Sequence, residues 1–229
     1  FFVSTPVDFS GKDMPFDARP MIMRLNDSSW GEADQDQLEL YLFDINWQNV
    51  DSTDIEQISL VTTPYDGYPC SALGQGFDCV PQKDGNGLDG IPEVIMNVPM
   101  FRNFGAHESI VLSFITDVTN GENQSGIRWM ELRRTNDETW NIYQEGTYAP
   151  DGLDRYMSSI AIDKNGNIGM GYNISSEDTY VGIRYTGRFA SDPLGQMTVE
   201  ETSVIDGSSG IISGGRFGDY AQMALDPTD

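Results

Sequence analysis

Four pieces decide the fold: GIRWMELRR (126–134), WNIYQEGTYAP (140–150), RYMSSIAIDKNGNIGMGYNISS (155–176) and YVGIRYTGR (180–188). Each is rich in β-branched and aromatic residues and is cut off by Gly, Asn, Asp or Pro. That is the grammar of strand and turn, with no apolar periodicity of helix length between the pieces.

The rest of the chain reads the same way. PMIMRL (20–25), LELYLFDINW (38–47), IEQISLVTT (55–63), VIMNVPMFRNFG (94–105), HESIVLSFITDV (107–118), MTVEETSVI (197–205) and YAQMALD (220–226) are further expected strands. In LELYLFDINW, Leu38, Leu40, Leu42 and Asp44 alternate with Glu39, Tyr41, Phe43 and Ile45. Neither face is cleanly apolar, which suits a strand between neighbouring sheets. Pro99 assigns its segment to an edge or a bulge. Residues 1–20, with Pro6, Pro15 and Pro20, read as a connecting loop.

One repeat is visible. Arg155–Asp163 is echoed by Arg216–Asp226, with Ala161 to Ala224 and Asp163 to Asp226 both offset by 63 residues. Four expected strands fit between the copies, the signature of a β-propeller blade. The small residues Ser158, Ser159, Ala161, Ala221 and Ala224 suit innermost strands. The expectation is an all-β chain, a partial β-propeller of about three to four four-stranded blades, with boundaries near residues 107, 155 and 216. A β-sandwich is the alternative. Residues 1–229 read as one region of a longer chain.

Composition narrows function. A formal charge of −23, from 36 acidic and 13 basic side chains, repels phosphate backbones and argues against nucleic acid. No apolar run reaches the length of a membrane-spanning helix. Cys70 and Cys79 sit nine positions apart around Gly74 and Gly76, and read as a disulfide in an exported protein.

GIRWMELR, GTYAPDG, SIAIDKNGNI, IRYTGR and RFGDYA, in this order, resemble the β-propeller regions of large secreted surface proteins of Bacteroidetes and related bacteria. Many of those carry a sorting domain for type IX secretion. The resemblance covers about residues 64–229. It implies an extracellular or cell-surface location, with other domains of the chain, surface proteins or glycans as partners.

Candidate chemistry is sparse. His107, the single histidine, lies beside Glu108 and reads as structural. TNDETW (135–140) reads as a hairpin turn ending in a buried Trp140. Arg128, Arg155, Arg184 and Arg216 recur near strand ends and are expected to pair with Asp163, Asp226 or neighbours. Two loops have oxygen side chains spaced to wrap Ca²⁺: Asp84, Asn86 and Asp89 in KDGNGLDG, and Asp163, Asn165 and Asn167 in DKNGN. The second also reads as a type I′ hairpin turn. The residues favour a binding or scaffold module without a catalytic set. Alternatives are a secreted glycan hydrolase using paired carboxylates and a structural element of an adhesin or other extracellular assembly.

Overall fold

The computed structural model describes residues 4–9, 14–17, 19–70, 77–119, 123–135, 138–226 and 228. Among these, helix is confined to 3₁₀ turns at Ser28–Trp30 and Val50–Ser52, and the rest is strand and loop. The first sheet is β1 (Thr5–Pro6), β2 (Met21–Asn26), β3 (Gln37–Asp44) and β4 (Asp54–Val61), in that order. A small ribbon of β5 (Asp78–Val80) and β6 (Leu88–Asp89) follows. The second sheet runs β7 (Met100–Asn103), β8 (Glu108–Asp117), β9 (Ser125–Arg134) and β10 (Asn141–Tyr148). The third runs β11 (Asp154–Ile162), β12 (Ile168–Ser176), β13 (Thr179–Arg188) and β14 (Val199–Ile205). Each of the three large sheets is an antiparallel meander, and none closes on itself.

The second sheet lies between the other two. Ile110, Leu112, Phe114, Met130 and Leu132 pack against Met21, Met23, Leu25, Leu38, Leu40 and Leu42 of the first sheet. Val111, Ile127 and Trp129, on the opposite face, pack against Ile160, Ile162, Met170, Tyr172 and Ile174 of the third. HESIVLSFITDV is therefore apolar at both parities because β8 is covered on both sides. Fourth strands show the reverse, and β4 and β14 are largely exposed.

The chain just past β1 meets β7. Asp8 bridges Met100 in parallel, its N–H donating to the Pro99 carbonyl at 2.8 Å and its carbonyl accepting from Phe101 at 3.0 Å. β7 is an edge of its sheet, as Pro99 requires.

Several expectations change. The second sheet opens at Met100, and His107 falls in the turn between β7 and β8. Residues 220–226 form no strand. Met223 lies against Gly169 and Gly171 of β12, where a Cβ would crowd its thioether, and its N–H donates to Ser159 Oγ at 2.7 Å. The alternation that suggested a strand there reports one half-buried face, Met223 and Leu225, not an edge pairing. In DKNGN only Gly166 has a positive φ (81°), so the turn is type I closed by a glycine bulge, not type I′.

Candidate ligand-binding cleft

Two carboxylates assemble one end of the first sheet. Asp27 accepts from Ser29 N at 2.8 Å and from Gly67 N at 3.0 Å; Asp36 accepts from Ser28 N and Tyr65 N, both at 2.8 Å. Both are buried. They satisfy the amides of the Ser28–Trp30 turn and tie the β2–β3 loop to the chain leaving β4. Asp66 continues the path, its carbonyl accepting from Asp117 N and Thr116 Oγ1 of β8.

A third segment closes the space. Asp89 Oδ1 accepts from Ile91 N at 2.7 Å, and Glu93 N donates to the Gly67 carbonyl at 3.0 Å. Ile91 and Glu93, flanking Pro92, both take left-handed backbone conformations, with φ of 50° and 65°. For a β-branched residue that conformation is strained, and such strain persists only where the surroundings impose it.

The result is a cavity of about 480 Å³ lined by Trp30, Phe77, Ile91, Pro92 and Val94, with Glu32, Asp89 and Glu93 among them. A second hollow of about 380 Å³, beside Tyr65, Asp66 and Tyr68, shares its Trp30–Glu93 wall. Burial and nearby Asp27 push the Glu93 carboxyl above its ordinary range, against a hydrogen bond from the Trp30 indole; Asp66 adds to the rise. Burial likewise raises Asp89, opposed by the Ile91 amide and Arg216, and helped by Asp78 and Asp219. Glu32 is held by Arg24 at 2.7 Å.

The sequence candidates distribute as follows. Cys70 and Cys79 are bridged, Cα atoms 5.6 Å apart, while Gly74 and Gly76 of that loop lie outside the described residues. Asp84 accepts from Tyr180 Oη at 2.7 Å and Asn86 Nδ2 donates to the Ile212 carbonyl, so these two face the third sheet and the 211–215 segment. Asp89 instead faces the cleft. Asp163 Oδ1 accepts from Asn165 N and Asn167 N, both at 2.8 Å, and Oδ2 from Asn167 Nδ2 at 2.7 Å; its carboxylate thus holds the hairpin turn. Among the described residues no group of three or more His, Cys, Asp or Glu side chains is placed to hold a metal ion.

The arginines are paired with nearby carboxylates, as expected, but not with Asp163 or Asp226. Arg155 is fully buried between Asp151 and Glu201, Arg128 meets Glu145, Arg184 meets Asp206, and Arg216 meets Asp219. Asp226 caps Thr228 instead. Each arginine finds a carboxylate on its own sheet or loop. His107 stacks on Phe104 with centroids 4.9 Å apart, and burial and Arg133 lower its pKa. Trp140 is buried.

Trp30, Phe77, Ile91 and Glu93 went unread in the sequence. The available signal was an aromatic residue, Trp30, inside the otherwise polar turn DSSWGEADQDQ. Comparisons with protein-family models, with curated proteins and with solved structures found no match to this chain.

Proposed function

We propose that the chain is a portion of an exported β-propeller that works as a surface binding or scaffold module, taking its ligand in the Trp30–Glu93 cleft. The observation that carries this reading is the cleft itself. It has the size of a small-ligand site, aromatic and aliphatic walls, and a few carboxylates at fixed places. It is built from connections between strands, the parts of a scaffold that most often carry function.

The propeller architecture is supported by three successive four-stranded meanders, by exposed fourth strands, and by the parallel bridge from Asp8, just past β1, to Met100 of β7. The Cys70–Cys79 bridge supports an oxidising, exported location. Partners are then other domains of the chain, surface proteins or glycans.

Fluorescence titration with soluble oligosaccharides and short peptides, wild type beside Trp30→Ala, tests the reading. Saturable binding that disappears in the variant supports it; binding that survives moves the site elsewhere. A second reading, a glycan hydrolase, draws on Asp89 and Glu93 lining one cleft with both carboxyls raised. Turnover of nitrophenyl glycosides that is lost in Glu93→Gln would select it over the first.

A further inference from the structure

We infer that the Trp30–Glu93 cleft takes an organic cation: an ammonium carried on an aliphatic chain, as in a lysine side chain. This inference rests on the binding-module reading and names the ligand's chemistry. Three observations carry it. Among the described residues, those lining the cavity and its neighbouring hollow include Glu32, Asp89, Glu93, Asp27 and Asp66, and no Lys, Arg or His, although Arg24 reaches Glu32 from outside the lining at 2.7 Å. With Glu32 already paired to Arg24, Asp89 and Glu93 are the carboxylates of the cavity left to meet a cation, and a cation bound beside them offsets the cost of holding both charged in an apolar surround.

The walls add a matching feature. Trp30 and Phe77 line the cavity beside these carboxylates, and Tyr68 packs on Phe77 with centroids 5.6 Å apart. Tryptophan is the side chain whose ring face best attracts an ammonium. Ile91, Pro92 and Val94 give the methylenes of the ligand an apolar surface, while the charged head stays with the carboxylates. Finally, a chain of formal charge −23 draws small cations toward it over long range.

The probes are N-acetyl-lysine methylamide, its uncharged norleucine counterpart, tetramethylammonium and maltotriose, titrated calorimetrically into the disulfide-intact protein. The lysine ligand is expected to bind at least about tenfold more tightly than the norleucine one, and to weaken in 0.5 M salt as exposed charges are screened. Tetramethylammonium binding alongside the lysine probe would place part of the recognition in the aromatic walls, and binding of the lysine probe without it would place recognition in carboxylate hydrogen bonds; either supports the cation. Glu93→Gln and Asp89→Asn, both close in shape to the native residues, are each expected to weaken the lysine probe several-fold with unchanged circular dichroism. Equal binding of the lysine and norleucine probes, or no binding by either cation, overturns the inference. Maltotriose binding that is indifferent to Glu93→Gln overturns the cation while leaving the binding module standing. Glycoside turnover in place of binding removes both.

Discussion

Glu39, on the face of β3 turned away from the second sheet, is 2% exposed and accepts hydrogen bonds from Arg24, Asn26 and Tyr41. Burial raises its carboxyl, but the bonds from Arg24, Tyr41 and Asn26 outweigh it and hold the group at about 2. Asp17 is also held at about 2: burial raises it, and Arg134 and Arg19 more than reverse that. A carboxyl whose folded pKa is depressed stabilises fully above its unfolded value, near 4.5 for Glu, and that share is lost as pH falls through about 2. Stability is therefore expected to decline in urea titrations between about pH 4.5 and 2. Glu39→Gln is expected to cost about 2–4 kcal/mol at pH 7, because Arg24 is left with Glu32 alone, and to flatten that acid limb. A variant as stable as wild type at pH 7 would mean the cluster is neutral. Backbone conformation gives a second test. Met157, in the bulge of β11, and Tyr220 stand 63 positions apart in the repeat, and both are left-handed, with φ of 51° and 59°. Tyr220 is 82% exposed, so Tyr220→Gly sheds strain at little loss of packing and is expected to stabilise by about 0.5–1 kcal/mol. Destabilisation in thermal melts would show that its ring holds the 216–226 segment in place.

β8 and β14 contrast a covered strand with an exposed one. Leu112 of β8 is fully buried between β2, β3 and β9, so Leu112→Ala is expected to cost about 3 kcal/mol in chemical denaturation. Thr202→Ala on exposed β14 should stay within about 0.5 kcal/mol; parity of the two values would contradict the layer order. This contrast was legible in sequence, since HESIVLSFITDV is apolar at both parities and MTVEETSVI is not. The meander order was legible too, because short turns of Gly, Asn and Asp join neighbours. Pairing was less so. YAQMALD alternates like a strand, yet Met223 and Leu225 only lean on the core that spans the second and third sheets. The ribbon β5–β6 pairs Asp78 with Asp89 inside a segment whose composition says loop. The cleft left almost no trace. Its walls come from the β2–β3 loop, Phe77 and the chain before β7, which lie far apart in the sequence.

Over the whole molecule, the sheets repeat a face as well as an order. Gly126-Ile127-Arg128-Trp129 opens β9 and Gly182-Ile183-Arg184-Tyr185 lies in β13, each the third strand of its sheet. Both arginines reach a carboxylate on or just beyond the fourth strand, Arg128 to Glu145 and Arg184 to Asp206. Tyr185 pairs with Gly171, while Met170 and Tyr172 on either side of that glycine face the second sheet. Tyr185 therefore points away from the second sheet, as Trp129 points away from the first. Trp129 is covered by the third sheet and 1% exposed; Tyr185 is 42% exposed. Equivalent positions in the repeat thus differ only in what lies over them, and the energetic difference should follow coverage. Trp129→Ala is expected to cost about 3–5 kcal/mol, the range for emptying a buried aromatic site. Tyr185→Ala, on an open sheet face, should cost no more than about 1 kcal/mol, mostly through lost strand preference. Paired urea denaturation of the two variants at low protein concentration measures both. A Tyr185→Ala cost that approaches the Trp129→Ala cost would show that the far face of the third sheet is covered in solution, as the second sheet's face is by β11 and β12.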